Sequence, residues 1–164
     1  MAKRSARTSR PGRPAATPAL PPEGAITGIR YIESSALVAA LLERDAAALK
    51  SVRTKGRHVT SALTIAEAAR AILRARAGAR LTADEERAVV RALGRFERRS
   101  YVVGVTDAVL ARVRRPFPVE PIRTLDAVHL ATAELLGEPP PLVTFVTRDA
   151  RVRDNARALG YAVE

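Results

Sequence analysis

Apolar positions along this chain switch repeatedly between strand-like and helix-like spacing. Ile29–Ile32 (IRYI) is short and mainly apolar, the pattern of a buried strand. From Ser34 to about Asp45, Leu37, Val38, Leu41 and Leu42 recur at helical spacing, and Ala46–Arg53 predicts a second short helix. His58–Ala62 (HVTSA) predicts a strand, and Thr64–Ala77 a helix that Gly78 ends. Thr82–Arg99 predicts a long Arg/Glu-rich helix, with Thr82 and Glu85 at capping-box spacing. Tyr101–Val105 (YVVGV) reads as a strand, followed by a short helix from Thr106. Beyond the loop RRPFPVEPI the pattern predicts a helix from about Thr124 to Leu136. A strand at Leu142–Thr147 (LVTFVT), a helix at Ala150–Leu159 stopped by Gly160, and a last short strand at Tyr161–Val163 complete the series. Such alternation predicts an α/β fold, a mostly parallel sheet with helices on both faces.

The first 27 residues do not share the pattern. They are rich in Pro, Ala and Arg without apolar periodicity, which predicts a disordered basic tail over 1–27 and a folded domain over 28–164. A chain of 164 residues suits one domain with a substantial core. No apolar run approaches the roughly 20 residues that span a bilayer, and the basic start lacks the hydrophobic segment of a secretory signal. The expected location is the cytoplasm, with no membrane partner.

Composition narrows the chemistry. The absence of cysteine excludes disulfides and thiolate metal or redox sites. The two histidines, His58 and His129, are too far apart in sequence for a local zinc motif. The net charge is +11, of which +5 lies in residues 1–30. The rest belongs to the folded part, and a basic body favours a polyanionic partner such as nucleic acid. Three Phe, three Tyr and no Trp argue against a base-stacking platform, so contacts would run mainly through phosphates.

Against that basic background, four acids fall at strand-to-helix junctions, the layer where open parallel sheets bind ligands. Glu33 ends the first strand, Glu67 falls in the first turn of the helix after the second, Asp126 opens the helix near Thr124, and Asp149 follows LVTFVT. Each has a purely structural alternative. Thr64 and Glu67 fit a capping box, Asp126 suits the positive end of a helix dipole, and Asp149 suits an N-cap. Glu33 resists this explanation best, because Glu is a poor N-cap and Ser34 is available for the task. Gathered in one cleft, the four carboxylates would repel one another unless some hold protons or a cation enters. Oxygen ligands without Cys or paired His select Mg²⁺ or Mn²⁺, which can activate water and offset charge on a phosphoryl group. An acidic metal pocket in a basic protein suits phosphodiester hydrolysis.

The segments YIESSALVAALL, SALTIAEAARAI, PIRTLDAVHLATA and FVTRDARVRDNARALGY, in this order, resemble the motif series of PIN-domain proteins, particularly VapC-type toxins of bacterial toxin–antitoxin pairs. The likeness runs from about Ile29 to Val163. It implies a three-layer α/β/α sandwich around a parallel sheet and Mg²⁺- or Mn²⁺-dependent endoribonuclease activity by metal-activated water. It also implies a homodimer and inhibition by a small cognate antitoxin of the VapB type. On this resemblance Glu33, Glu67, Asp126 and Asp149 match the four catalytic, metal-holding acids. Ser35 and Thr147 match neighbouring hydroxyl positions that support a ligand or its water. Arg123 and Arg148 flank two acids and are candidates for RNA phosphate contact or for local charge balance. His129, three residues after Asp126 on the same helical face, reads as a packing residue. The family pattern has Asp where this chain has Glu33. Mg²⁺ holds ligands near about 2.1 Å, and a misplacement of ~1 Å can lower a rate about a hundredfold. The alternative is therefore a catalytically degenerate PIN domain that binds RNA or a protein partner without cleavage.

Overall fold

The computed structural model describes residues 28–164, and the tail read over 1–27 lies outside them. Five strands, β1 (Ile29–Ile32), β2 (Arg57–Ser61), β3 (Tyr101–Val103), β4 (Val143–Val146) and β5 (Ala162–Val163), form one sheet in the order β3-β2-β1-β4-β5. Every pairing is parallel. Helices α1 (Ser34–Leu42), α2 (Ala46–Arg53), α3 (Ala62–Ala77) and α4 (Ala83–Arg99) pack together on one side. On the other lie α5 (Asp107–Val113), α6 (Thr124–Glu134) and α7 (Ala150–Ala158). The result is the expected α/β/α sandwich, and the prediction of a mostly parallel sheet sharpens to a wholly parallel one.

Burial on both faces explains why the strands read as short apolar runs rather than alternating ones. Tyr31 of β1 lies in register with Phe145 of β4, their ring centroids 4.7 Å apart, and both point into the layer of α5–α7. Their neighbours Ile32 and Val146 point the other way, against Leu37, Ile72 and Phe96. Helix α6 is buried continuously from Ala127 to Ala133, which small residues at Ala127, Ala131 and Ala133 permit. Arg30 breaks the apolar run of β1. Its guanidinium is buried, donates to the Ser51 carbonyl and pairs with Glu164 at 2.6 Å.

Several boundaries differ from the sequence expectation for local reasons. The first helix stops at Leu42, because Arg44 takes a positive φ and Asp45 caps α2 through the Ala48 amide. The predicted strand ends at Val105, Leu142 and Thr147 fall outside β3 and β4, and Leu142 joins a 3-10 turn at Pro140–Leu142. The capping box of α4 forms as expected, with Thr82 and Glu85 each bonding the other's backbone. That of α3 does not. Ser61 caps this helix through the Leu63 amide, so Thr64 is a buried helix residue and Glu67 lies beyond the first turn.

Candidate active site

The strand order places the site. From β1 the chain steps outward through β2 to β3, then returns to place β4 on the opposite flank of β1. The carboxyl ends of β1 and β4 thus form a switch point, where diverging connections leave a crevice. Glu33 leaves β1 there, and Thr147, Arg148 and Asp149 leave β4 beside it; the Glu33 amide still bonds the Val146 carbonyl at 3.0 Å. Glu67 arrives from α3, and Asp126 and His129 from the opposite layer on α6.

Glu33 is 3 % exposed, and its carboxylate is held mainly by protein donors. Oε2 accepts from the Ser35 amide at 3.0 Å, from the Ser35 hydroxyl in a very short contact, and from Thr147 Oγ1 at 2.9 Å. Oε1 accepts from Ser34 Oγ at 2.6 Å. Contrary to the sequence reading, Glu33 is itself the N-cap of α1, and Ser34 is the first helical residue. The longer side chain permits this by curling back onto the helix start. Ser35 Oγ is also an acceptor, receiving the amides of Arg148 at 2.8 Å and Asp149 at 3.1 Å. One hydroxyl therefore ties the start of α1 to the loop after β4. Thr147 reinforces the tie, since its Oγ1 accepts the Asp149 amide and its own amide bonds the Glu164 carbonyl.

Glu67 meets a partner that sequence reasoning assigned to packing. His129 is 1 % exposed, and its Nε2 lies 2.8 Å from Glu67 Oε2 and 3.6 Å from Glu33 Oε1. Among the described residues, the ligand atoms of Glu33, Glu67 and His129 form the set mutually within 4.8 Å. Burial pushes the Glu67 carboxyl up, but the hydrogen bond from His129, the nearby Ser34 hydroxyl and the charge of Arg74 outweigh it and hold the group below its ordinary value. The i,i+3 spacing of His129 from Asp126 was a signal in the sequence, whereas Ser34 figured there only as an available N-cap.

Asp126 and Asp149 stand outside that tight set yet interact with it electrostatically. Burial, then the charges of Asp149 and Glu33, push the Asp126 carboxyl above its ordinary value, against the pull of Arg123. Its Oδ2 is buried with no hydrogen-bond partner among the described residues. Asp149 caps α7, as its structural reading predicted, accepting the Arg151 and Val152 amides on Oδ1. Of the two candidate RNA contacts, Arg123 is exposed at the N-cap of α6, whereas Arg148 pairs with Asp45 through Nε at 3.1 Å. Asp45 was not foreseen, and its link to Arg148 crosses 103 positions of sequence.

An Asp126 oxygen that is buried and unpartnered among the described residues, on a carboxyl that feels the charges of Asp149 and Glu33, fits a divalent cation, which would supply a partner and offset the repulsion.

Comparison with known proteins agrees with this architecture. The PIN domain family profile matches residues 30–158. The chain is 41 % identical over 137 residues to Ribonuclease VapC35 of Mycobacterium tuberculosis, covering 81 % of this chain and 93 % of that protein. It is 40 % identical over 135 residues to Ribonuclease VapC46 of the same organism, covering 81 % and 94 %. Two solved structures share the fold. PAE2754 from Pyrobaculum aerophilum aligns with a TM-score of 0.56 at 24 % identity, over 85 % of this chain and 92 % of that one. VapC20 of Mycobacterium tuberculosis, described as a Sarcin-Ricin loop cleaving toxin, aligns with a TM-score of 0.55 at 18 % identity, over 80 % and 95 %. With the profile spanning most of the chain and relatives of this identity matched nearly end to end, the chain belongs to the PIN-domain family, as a protein of the VapC type.

Proposed function

We propose that this protein is a metal-dependent endoribonuclease acting as the toxin of a toxin–antitoxin pair. Its similarity to proteins named as VapC ribonucleases supports the activity class. The observation that carries the metal-dependent reading is the Asp126 carboxylate, with one oxygen buried and unpartnered among the described residues and its proton held more tightly by burial and by the charges of Asp149 and Glu33. Glu33, Glu67, Asp126 and Asp149 would hold Mg²⁺ or Mn²⁺. A cation bound there would lower the pKa of a water and offset the charge on the scissile phosphate. The chain's own residues do the rest. Ser35 and Thr147 fix the Glu33 carboxylate and the Asp149 backbone, His129 fixes Glu67, and exposed Arg123 stands where a phosphate could pair with it. Attack of water on phosphorus would leave a 5′-phosphate and a 3′-hydroxyl.

The partners of this reading are RNA, a small VapB-type antitoxin and a second copy of the chain, in the cytoplasm. Among the described residues no helix is long and apolar enough to cross a membrane. The direct test incubates the full chain with RNA and Mg²⁺, with and without EDTA, beside Asp126→Asn. Cleavage should require both the cation and Asp126; cleavage that survives EDTA and the substitution rejects the mechanism.

One observation favours the degenerate alternative, in which the domain binds RNA or a protein without cutting. Glu33 Oε2 already has three protein donors, so this oxygen is less free than a ligand should be. Glu33→Asp separates the two readings. Strong Mg²⁺-dependent cleavage gained from an otherwise silent protein assigns the natural form to the degenerate class, whereas activity already present in the unsubstituted chain assigns it to the nucleases.

A further inference from the structure

His129 belongs to the tightest set of potential ligand atoms, and by donor type alone it would be counted as a metal ligand. Its hydrogen bonding points elsewhere. A neutral imidazole carries one N–H and one lone pair, on different nitrogens. Nε2 faces two carboxylate oxygens, at 2.8 Å on Glu67 and 3.6 Å on Glu33, whereas Nδ1 is buried and unpartnered among the described residues. Were Nε2 bare, its lone pair would confront that of Glu67 Oε2 at 2.8 Å, and the proton would sit on Nδ1 with no acceptor. A hydrogen on Nε2 removes both conflicts. Ligation would reverse this arrangement, moving the proton to the unpartnered nitrogen and breaking the Glu67 contact. Metal-ligating histidines generally anchor their second nitrogen on an acceptor, and among the described residues Nδ1 has none.

We infer that His129 is a positioning residue, donating Nε2–H to Glu67 from within the core beside Glu33, and aiming the Glu67 carboxylate at a divalent cation without ligating it. The cation half of this inference rests on the metal-dependent reading above; the hydrogen-bond half rests on geometry alone. α3 and α6 lie in opposite helical layers, so this contact links the two layers above the sheet edge and sets how far apart their acids stand. Nothing else among the described hydrogen bonds joins Glu67 to α6.

Two measurements on the full chain separate the halves. The first is the protonation pattern of the imidazole rings in ¹⁵N-labelled, metal-free protein, read from long-range ¹H–¹⁵N correlations. There are two histidines in the sequence, so a His58→Gln variant assigns His129. Nε2 should carry the proton, and should keep it when Mg²⁺ is added; a proton on Nδ1 with Nε2 bare overturns the hydrogen bond while leaving the nuclease reading intact. The second is Mn²⁺ affinity, from the electron paramagnetic resonance signal of the free ion. His129→Phe keeps the ring's bulk without a donor and should weaken binding by about 10–100-fold, whereas His129→Gln keeps an N–H donor and should stay within about threefold.

Equal affinity in the Phe variant and the unsubstituted chain overturns the positioning role. A ¹⁴N hyperfine coupling to bound Mn²⁺ that His129→Phe abolishes makes His129 a ligand instead. Should the Phe variant not fold, the ring's protonation pattern and the Gln variant still decide. No Mn²⁺ binding by the unsubstituted chain overturns the metal-dependent reading and the cation half together.

Discussion

Asp126→Asn should make the cation-free protein more stable and the Mg²⁺-loaded protein less so. The carboxyl of Asp126 is held above its ordinary value, first by burial and then by Asp149 and Glu33. A raised folded-state pKa means that the folded chain binds this proton more tightly than the unfolded one. The associated stability is fully present below the unfolded value of about 3.9 and is lost as pH rises through the folded value. At neutral pH without a cation, ionised Asp126 therefore works against folding. Asn keeps a polar atom at this position, so the gain is the relieved charge alone, and repulsion between charges near a protein surface is worth on the order of 1–3 kcal/mol. Asp126 is partly open to water, which screens its charge, so we take the lower end, about 1 kcal/mol. For a chain of this size that raises the melting temperature of the variant by about 2–4 °C in EDTA. The gap should close as pH falls toward the unfolded-state value. In Mg²⁺ at about a hundred times Kd, the unsubstituted chain gains about 2.7 kcal/mol, while the variant, missing a ligand, gains much less. The order of the two melting curves then inverts. Calorimetric scans of both proteins in EDTA and in Mg²⁺ read this directly. A variant that is the less stable in EDTA, or that gains as much from Mg²⁺ as the unsubstituted chain, refutes the reasoning.

Other perturbations test the surrounding network. Ser35→Ala removes a donor to Glu33 and the acceptor of the Arg148 amide, while the Asp149 amide keeps Thr147. At about 2 kcal/mol this should lower the melting temperature by about 4–8 °C, and an unchanged melting curve would show that Ser35 does not tie α1 to the loop after β4. Glu164→Gln leaves the buried Arg30 guanidinium without its counter-charge. Because Glu164 is about half exposed, the expected loss in urea unfolding is about 1–2 kcal/mol rather than the larger figure for a fully buried pair. Arg30 holds the Glu164 carboxyl below its ordinary value. That stability is present above the unfolded value of about 4.3 and lost as pH falls through the folded one, so the variant and the unsubstituted chain should converge in acid. Arg123→Gln should weaken RNA binding evenly across sequences and reduce the logarithmic salt slope by about 0.7. Arg148→Gln should leave that slope unchanged, since Arg148 is engaged with Asp45, and equal effects of the two substitutions would contradict that assignment.

What the sequence disclosed was local. Short apolar runs announced β1 and β4, Thr82 and Glu85 announced the start of α4, and the acids after β1 and β4 announced the sheet edge at which they lie. The errors came where two local signals competed. The pattern carried the strand on to Ala62 and paired Thr64 with Glu67 as a capping box, yet Ser61, the last residue of β2, caps a helix that begins at Ala62 because the chain turns as soon as it leaves the sheet. At Glu33 the usual ranking of N-caps favoured Ser34, but donors from Thr147 and Ser35 hold the longer carboxylate in the capping position. The remaining features are pairings across the fold. His129 reaches Glu67 across 62 positions, and Arg30 reaches Glu164 across 134. No periodicity encodes such contacts, because they exist only after both layers have closed on the sheet.

The four acids are therefore not equivalent, and their hydrogen bonding suggests how they divide the work. Glu33 is fully supplied with donors on Oε2, and its Oε1 accepts from Ser34 near His129, so its oxygens already have protein partners. Asp149 has committed Oδ1 to the start of α7. Glu67 is drawn toward His129 and held below its ordinary value. Asp126 alone among them combines a buried, unpartnered oxygen with a carboxyl pushed upward by its neighbours. The satisfied acids can shape the pocket whether or not an ion is present, because their partners are protein groups. The unsatisfied one has most to gain from an ion. If a cation binds, the largest change in hydrogen-bonding and charge environment must fall on Asp126, which is why its substitution, more than that of Glu33, should reverse sign between the empty and the loaded protein.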